Sequence, residues 1–358
     1  MKGYQFEDTQ GTFHLKKAEN ISYLYFPIAG EAGLKSSFTP NLGGDAKIDQ
    51  NTFLLEPVSA ENLVNNRNSR NFWCNVKGIG SWSLTGHSAE ELSKKFTEMQ
   101  DDSEVTAGFM WQKTTRESKK YQLRGEILSF IPVDKNVEIM LVTITNTGRM
   151  AQTVTPTAAI PLYGRSADNI RDHRHVTSLL HRIETTDTGV LVTPTLSFDE
   201  RGHQVNHMTY YCVGWSGNGE KSVDFYPTAE DFVGEGGNFE RPYAIVKNAE
   251  GVKAGTKIEG LEAVGGLHFS EITLEPEEEC SYLIFTGITE DIQEIRNLSK
   301  TYTTRESTGR TGKNKSILAG KSKCCLSYRR FRFQPVYALG KLSANSASYL
   351  WLFLPSAS

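Results

Sequence analysis

A chain of 358 residues, 38% apolar and 10% aromatic, carries enough hydrophobic material for one large β domain or two ordinary ones. Its formal charge of −3 gives no electrostatic reason to expect nucleic acid or an anionic membrane as a partner. The opening Met-Lys-Gly-Tyr-Gln-Phe-Glu-Asp lacks the apolar core of a leader peptide, and no run approaches the roughly 20 apolar residues of a membrane span, so a cytoplasmic protein is expected.

Short apolar or alternating runs bounded by Gly, Pro, Asn and Asp read as strands, beginning with Ser22–Pro27. After them, Arg67, Arg70, Phe72, Trp73, Trp82 and Trp111 offer either a basic and aromatic wall for stacking sugars or, as is usual for such aromatics, core packing. One helix interrupts the strands. Ser88 and Glu91 have the spacing of a capping box, and Leu92, Phe96 and Met99 fall on one side of the helix expected to follow. Strands then resume at Leu123–Pro132 and Val137–Thr145. The second alternates with period two and is closed by the turn signal Asn146-Thr-Gly. Further runs are Gly189–Phe198, Met208–Trp215, Gly266–Leu274 and Ser281–Ile288. So many strands and so little helix over residues 1–290 indicate an all-β domain, a large antiparallel β-sandwich. At Asp291 the period changes: Ile292, Ile295 and Leu298 recur at helical spacing, marking a linker helix over residues 291–306.

Between two of these strand-like stretches, Gly164 to Ile183 packs Arg165, Asp168, Arg171, Asp172, Arg174 and Arg182 together with His173, His175 and His181. A solvated turn needs one or two polar residues; this density of forked donors and paired acceptors suits vicinal hydroxyls, which donate and accept together. The bland alternative is an ion-pair lattice pinning a long loop to the sandwich. The histidines with Asp172 could also be written as a metal site, since His173 and His175 would share a face if the segment were a strand. Interleaved arginines repel a cation and no fourth ligand is implied, so histidines engaged in hydrogen bonds are the better reading and no metal or cofactor is expected. Asp231-Phe-Val-Gly-Glu-Gly-Gly-Asn has the glycines of a close-approach loop, but no helical pattern follows it, which weakens it as a phosphate cradle. Five cysteines, Cys74, Cys212, Cys280, Cys324 and Cys325, lack metal-type spacing and read as reduced thiols.

The stretch Arg165-Ser-Ala-Asp-Asn-Ile-Arg-Asp-His-Arg-His-Val-Thr-Ser-Leu-Leu resembles a segment in the N-terminal domain of glycoside hydrolase family 94, which contains the cellobiose, cellodextrin, chitobiose and 1,2-β-oligoglucan phosphorylases. The resemblance also takes in Ser22-Tyr-Leu-Tyr-Phe-Pro, Asp49-Gln-Asn-Thr-Phe-Leu-Leu, Asn68-Ser-Arg-Asn-Phe-Trp and the Asp231 block, extending to about residue 300. Several separated blocks in one order are far more specific than one short motif. The resemblance implies a two-sheet supersandwich of the galactose mutarotase-like kind, followed by helices leading into an (α/α)6 barrel that carries the chemistry. It further implies an inverting phosphorylase in which inorganic phosphate attacks the anomeric carbon while one carboxylic acid protonates the departing oxygen. The intact enzyme is expected to be a homodimer acting on a β-glucoside or oligosaccharide. The acid and the phosphate-binding groups belong to the barrel, so no catalytic residue is carried over here. Arg174 falls where family members use an arginine on the sugar beside the cleaved bond. Arg165, Asp168, Arg171 and Asp172 are expected either on sugar or holding Arg174 in place.

From Ser307 to Ser358 there is no Asp or Glu, although residues 1–306 contain all 42; the tail carries nine Lys/Arg, while the rest sets 30 basic against 42 acidic groups, a net of −12. A basic arm on phosphates is one reading. Back-translation supports another. Read one nucleotide later, Trp351-Leu352 must give glycine, and the neighbouring codons allow Gln-Pro-Ile-Leu-Arg-Arg-Ile-Tyr-Gly-Cys-Ser-Phe-Leu-Pro-His, which resembles the family's entrance to the barrel. Leu326-Ser-Tyr-Arg-Arg likewise permits Tyr-His-Thr-Gly-Asp, and Ile317-Leu-Ala-Gly permits Tyr-Trp-Gln-Glu. The reading frame is therefore expected to have slipped near residues 305 to 309, leaving residues 307–358 an out-of-frame, disordered tail and the chain a truncated sugar-binding domain without its barrel. A freestanding, lectin-like carbohydrate-binding module is the alternative.

Overall fold

The computed structural model describes residues 4–9, 11–21, 24–58, 69–199 and 202–303. The expected out-of-frame tail, with Cys324 and Cys325, lies outside the described residues, as does Arg67.

Strand Val137–Asn146 shows why the sheets form. Met140, Val142 and Ile144 point into the main core, while Val137 and Ile139 lie in a second cluster on the opposite face. Period-two alternation with apolar residues on both faces makes this a central strand covered on both sides. It pairs with Leu123–Phe130 on one edge and Glu279–Thr289 on the other. Around it an eleven-stranded antiparallel sheet runs in the order Tyr4–Phe6, Phe13–Lys16, Asp102–Gly108, Trp111–Ser118, Leu123–Phe130, Val137–Asn146, Glu279–Thr289, Thr209–Ser216, Gly189–Val192, Arg182–Thr185 and Lys257–Glu259.

The second sheet orders Asp224–Thr228, Ala263–His268, Gln152–Leu162, Asn71–Val76 and Gly80–Ser83, with Ile272–Leu274 on the remaining length of Gln152–Leu162. Phe72, Cys74, Val154, Ala158, Ile160 and Leu267 from this sheet share one buried cluster with Ile127, Val142, Val190 and Ile284 from the larger one. That shared cluster is the sandwich core, and the expected all-β antiparallel architecture is present. A four-stranded sheet, Phe26–Ala29, Lys35–Phe38, Ala46–Asp49 and Thr52–Leu55, is fastened beside it. The fastening is a fully buried ion pair: Arg70 Nε donates to Glu138 Oε1 at 2.6 Å and Nη2 to Oε2 at 3.0 Å, while Nη1 donates to the Gly44 carbonyl at 3.0 Å. The same guanidinium lies 4.1 Å from the centre of the Phe38 ring.

The change of period at Asp291 corresponds to a helix, Ile292–Thr303, whose Ile295 and Leu298 bury against Val137, Ile139, Trp215 and Phe285 on the outer face of the large sheet. Three local readings are corrected. The helix after Ser88 is only Ala89–Ser93: Ser88 Oγ caps it by accepting from Glu91 N at 3.1 Å, but Phe96 adopts φ 65° and Phe96 and Met99 are exposed. The Glu91 carboxylate is engaged elsewhere: its Oε1 accepts from Asp101 N at 2.7 Å and faces Arg116. The runs Gly189–Phe198 and Gly266–Leu274 are each broken. The first is interrupted at Thr193–Thr195, around Pro194, which has no N–H to donate, and the second where Phe269 turns into the core. Arg70, Phe72, Trp73 and Trp82 are buried, which fits the core-packing reading for these four, while Trp111 is partly exposed.

Candidate functional site

The charged segment after strand Gln152–Leu162 is neither strand nor free loop. Gly164 takes φ 60°, a turn open to glycine at little steric cost, and the chain then runs beside the hairpin Ala46–Leu55. Tyr163 N donates to Leu54 O at 2.8 Å, Phe53 N to Arg165 O at 3.0 Å and Ala167 N to Gln50 O at 2.8 Å. A 3-10 turn, Ala167–Arg171, and a short helix, Arg174–Ser178, follow. Thr177 and Ser178 are the buried side of that helix, with Ser178 Oγ 3.4 Å from Gly260 O, and Arg174, three and four residues before them, starts the helix on that same side. His173 and His175 are on this helix and its cap rather than on a strand, with their ring centres 5.4 Å apart. No group of three or more His, Cys, Asp or Glu side chains among the described residues is placed to hold a metal ion.

Arg174 is gripped by two carboxylates. Its Nη1 donates to Glu262 Oε2 at 3.1 Å, its Nη2 is paired with Glu56, and Arg165 Nη2 donates to the other oxygen of Glu262 at 2.9 Å. The exposures differ in a telling way: the Arg174 side chain is 30% exposed, against 5% for Arg165 and 9% for Glu56. One forked cation therefore reaches solvent from a buried lattice of opposite charges. Burial alone would raise the Glu262 carboxyl, and the Arg165 and Arg174 guanidiniums overcome it and hold the group below the usual carboxylate range. Arg174 is displaced upward: burial opposes its charge, and Glu262 and Glu56 more than restore it. Two guanidiniums face two carboxylates, so the lattice is balanced in formal charge.

Within the electrostatic reach of Arg174 and Glu262 are polar atoms without partners among the described residues. Tyr163 Oη and Arg165 Nε are buried and unbonded, with the Arg165 guanidinium 5.2 Å from the centre of the Tyr163 ring. Burial pushes the Tyr163 hydroxyl upward, so it remains a neutral donor and acceptor. His181 is fully buried, its Nδ1 is 3.2 Å from Leu261 O, and burial followed by the Arg165 charge lowers its pKa to about 3. It is a neutral structural imidazole and part of the wall.

Of the residues named from the sequence, the structure brings Arg165 and Arg174 together through Glu262. Asp168 is exposed on the 3-10 turn, and Asp172 is exposed with its Oδ2 accepting from Asn169 Nδ2 at 2.7 Å, a local turn bond rather than a contact with Arg174. Arg171 belongs to the 3-10 turn. Sequence reasoning missed Glu56, Glu262 and Tyr163. Glu56 stands one residue beyond the Asp49–Leu55 block and Tyr163 two before the Arg165 block, so extending each block by two positions would have caught both. Asp231 to Val233 end a short helix, Ala229–Val233, and the glycines follow it, with Gly234 packed on Tyr243, the first residue of another short helix, Tyr243–Lys247.

The family model described as glycosyl hydrolase 94, supersandwich domain, matches residues 55–305, a span that contains Glu56, Tyr163, Arg165, Arg174 and Glu262. No curated protein matches by sequence. Among solved structures, a bacterial glucoamylase in complex with acarbose aligns over 90% of this chain and 38% of its own, at 9% identity and a TM-score of 0.40. An Escherichia coli K12 protein assigned as an aldose 1-epimerase aligns over 74% of this chain and 99% of its own, at 9% identity and a TM-score of 0.38. A polysaccharide lyase aligns over 77% and 33%, at 8% identity and 0.35. Scores this low establish no shared topology, and the chain spans well under half of that glucoamylase.

Proposed function

Because the chain belongs to glycoside hydrolase family 94 through its supersandwich domain, we propose that it is the sugar-binding front domain of an inverting glycoside phosphorylase. The observation that supports this most is the Arg174 guanidinium, presented to solvent from between Glu56 and Glu262 with the unpartnered Tyr163 hydroxyl within its electrostatic reach. A guanidinium fixed at both Nη atoms keeps its orientation and offers N–H groups to vicinal hydroxyls without paying rotamer entropy on binding. Carboxylates beside it can accept the hydroxyl protons. The lattice is electrically balanced, which favours an uncharged sugar over an anion.

In this reading the domain comprises residues 1–290, and residues 291–306 are the first helix of the linker to a catalytic barrel. The acid that protonates the leaving oxygen and the groups that hold inorganic phosphate belong to that barrel, so this domain orients a β-glucoside or oligosaccharide and performs no bond cleavage alone. Homodimerisation of the intact enzyme and a cytoplasmic setting are part of the same proposal. The unpaired thiols Cys74, Cys212 and Cys280 suit a reducing compartment. Calorimetric titration with cellobiose and with a 1,2-β-linked glucose disaccharide tests the reading: Arg174→Ala is expected to remove the binding event assigned to the Arg174 lattice from at least one isotherm. An isotherm unchanged by this substitution refutes the assignment.

A further inference from the structure

A cleft of 450 Å3 opens beside strands Asn71–Val76 and Gly80–Ser83, at one edge of the second sheet, and its lining shares no residue with the Arg174 lattice. Such a volume lies within the roughly 300–1,000 Å3 typical of small-molecule sites. Trp73 and Tyr121 contribute its aromatic surface; the start of helix Ala89–Ser93 and the turn Glu240-Arg241-Pro242 form its sides. These sides are tied together, since Ala89 N donates to Glu240 O at 2.8 Å and Asn75 Nδ2 holds Ile245 O at 2.9 Å. Tyr121 Oη donates to Glu90 Oε2 at 2.7 Å and accepts from Lys120 Nζ at 3.1 Å. Gly80, at φ 136°, admits that hydroxyl: a Cβ there would come within 3.3 Å of it. The cleft is thus shaped before any ligand arrives.

Its chemistry is incomplete. Trp73 is 2% exposed and lines the cleft, yet its Nε1–H, a donor only, has no acceptor. A buried donor left unpaired is costly, so this N–H favours an occupant that brings an oxygen to it. Glu90 and Glu240 balance Lys120 and Arg241 in charge, which disfavours an ion as occupant. Ile79 and Val246 show 44% and 39% of their surface to solvent at the same cleft, giving an apolar strip beside polar groups. A sugar ring has this combination of C–H faces and hydroxyl edges. We propose that the cleft is a second carbohydrate site, taking an uncharged glycosyl unit or short oligosaccharide with an oxygen on Trp73 Nε1 and a ring face against Ile79 and Val246.

The test uses the full chain, labelled with 15N and titrated with cellotriose and laminaritriose. The Trp73 indole N–H resonance is identified by its loss in Trp73→Phe or, if that variant does not fold, by replacing the other four tryptophans in turn. A saturable shift of this resonance is expected in the wild type and equally in Arg174→Ala, which separates this site from the first. Val246→Arg, a change at an exposed rim position, is expected to weaken the response by about tenfold or more. No shift at millimolar sugar, or a shift lost in Arg174→Ala and kept in Val246→Arg, overturns the proposal.

Discussion

Arg174 and Glu262 meet at 3.1 Å across 88 residues of chain, and the same carboxylate holds Arg165 with its other oxygen at 2.9 Å. One glutamate thereby fixes the exposed cation against the buried one. Glu262→Gln removes the charge while keeping the shape, leaving both guanidiniums less firmly held. Affinity for sugar is expected to fall at least fivefold, and because the Glu262 side chain is 21% exposed the stability loss should be only about 1–2 kcal/mol. Arg174→Ala leaves the Glu56 carboxylate, 9% exposed, without this partner and should cost about 1–3 kcal/mol, while abolishing the sugar binding assigned to this lattice. Urea denaturation beside calorimetry separates the two effects; equal destabilisation with unchanged binding in both variants would mean that the lattice is purely structural.

Arg70 and Glu138 are the counter-case. Both are buried to within 1% of completely, and the pair also engages the Gly44 carbonyl and Ser36. Arg70→Met leaves an uncompensated carboxylate inside the sandwich, a loss of about 3–5 kcal/mol, whereas Arg70→Met with Glu138→Leu should recover most of it. A double mutant no more stable than the single one in chemical denaturation would show that this pair is not coupled.

These two ion pairs mark what the sequence could and could not disclose. Val137–Asn146 was legible because its alternation is local, as was helix Ile292–Thr303, whose Ile295 and Leu298 declare one buried face. Local spacing also misled. Leu92, Phe96 and Met99 sit at helical intervals, but the chain leaves the helix after Ser93, with Thr97 Oγ1 donating to Lys94 O at 2.6 Å in a turn. The Arg174 segment drew notice through charge density, which is a local signal, while Glu56 and Glu262 come from distant parts of the chain. A single sequence carries no trace of such pairings, and Asp168 and Asp172, close to Arg174 in sequence, turned out to be exposed turn residues.

Two buried histidines set the acid response. Burial, reinforced by Arg116 and Lys95, lowers His87 to about 3, and burial with Arg165 lowers His181 to about 3. In the unfolded chain each titrates near its ordinary value of about 6.5, so below that pH the unfolded state binds more protons and stability falls as pH falls. Between pH 6.5 and 5 each histidine should remove about 1–2 kcal/mol, with the loss continuing towards the folded pKa. The slope of denaturation free energy against pH should flatten by one proton's worth in His87→Asn. An unaltered slope would place the titrating group elsewhere.

The purified chain should form no glucose 1-phosphate from cellobiose, cellodextrins or 1,2-β-glucans with inorganic phosphate, because the proposed role of this domain is to orient sugar. An enzyme-coupled assay for glucose 1-phosphate reads this directly. Turnover that persists after repurification and disappears in Glu56→Gln or Glu262→Gln would move the chemistry into the sandwich and refute the division of labour proposed for it.

Helix Ile292–Thr303 covers part of the outer face of the large sheet. Ile295 and Leu298 are 5% and 3% exposed against a sheet face that includes Trp215, Phe285 and Val213. Leu298→Asp buries a charge in that contact, so undocking the helix costs less than keeping it docked. The sheet beneath keeps its own ladder, with Trp215 and Phe285 rings stacked at 4.7 Å, and should remain folded while exposing an apolar face. The expected outcome is stronger binding of a hydrophobic dye and self-association, with the main unfolding transition moved by no more than about 2 kcal/mol. A single cooperative loss of all β structure at much lower urea would instead show that helix Ile292–Thr303 is an inseparable part of the sandwich core.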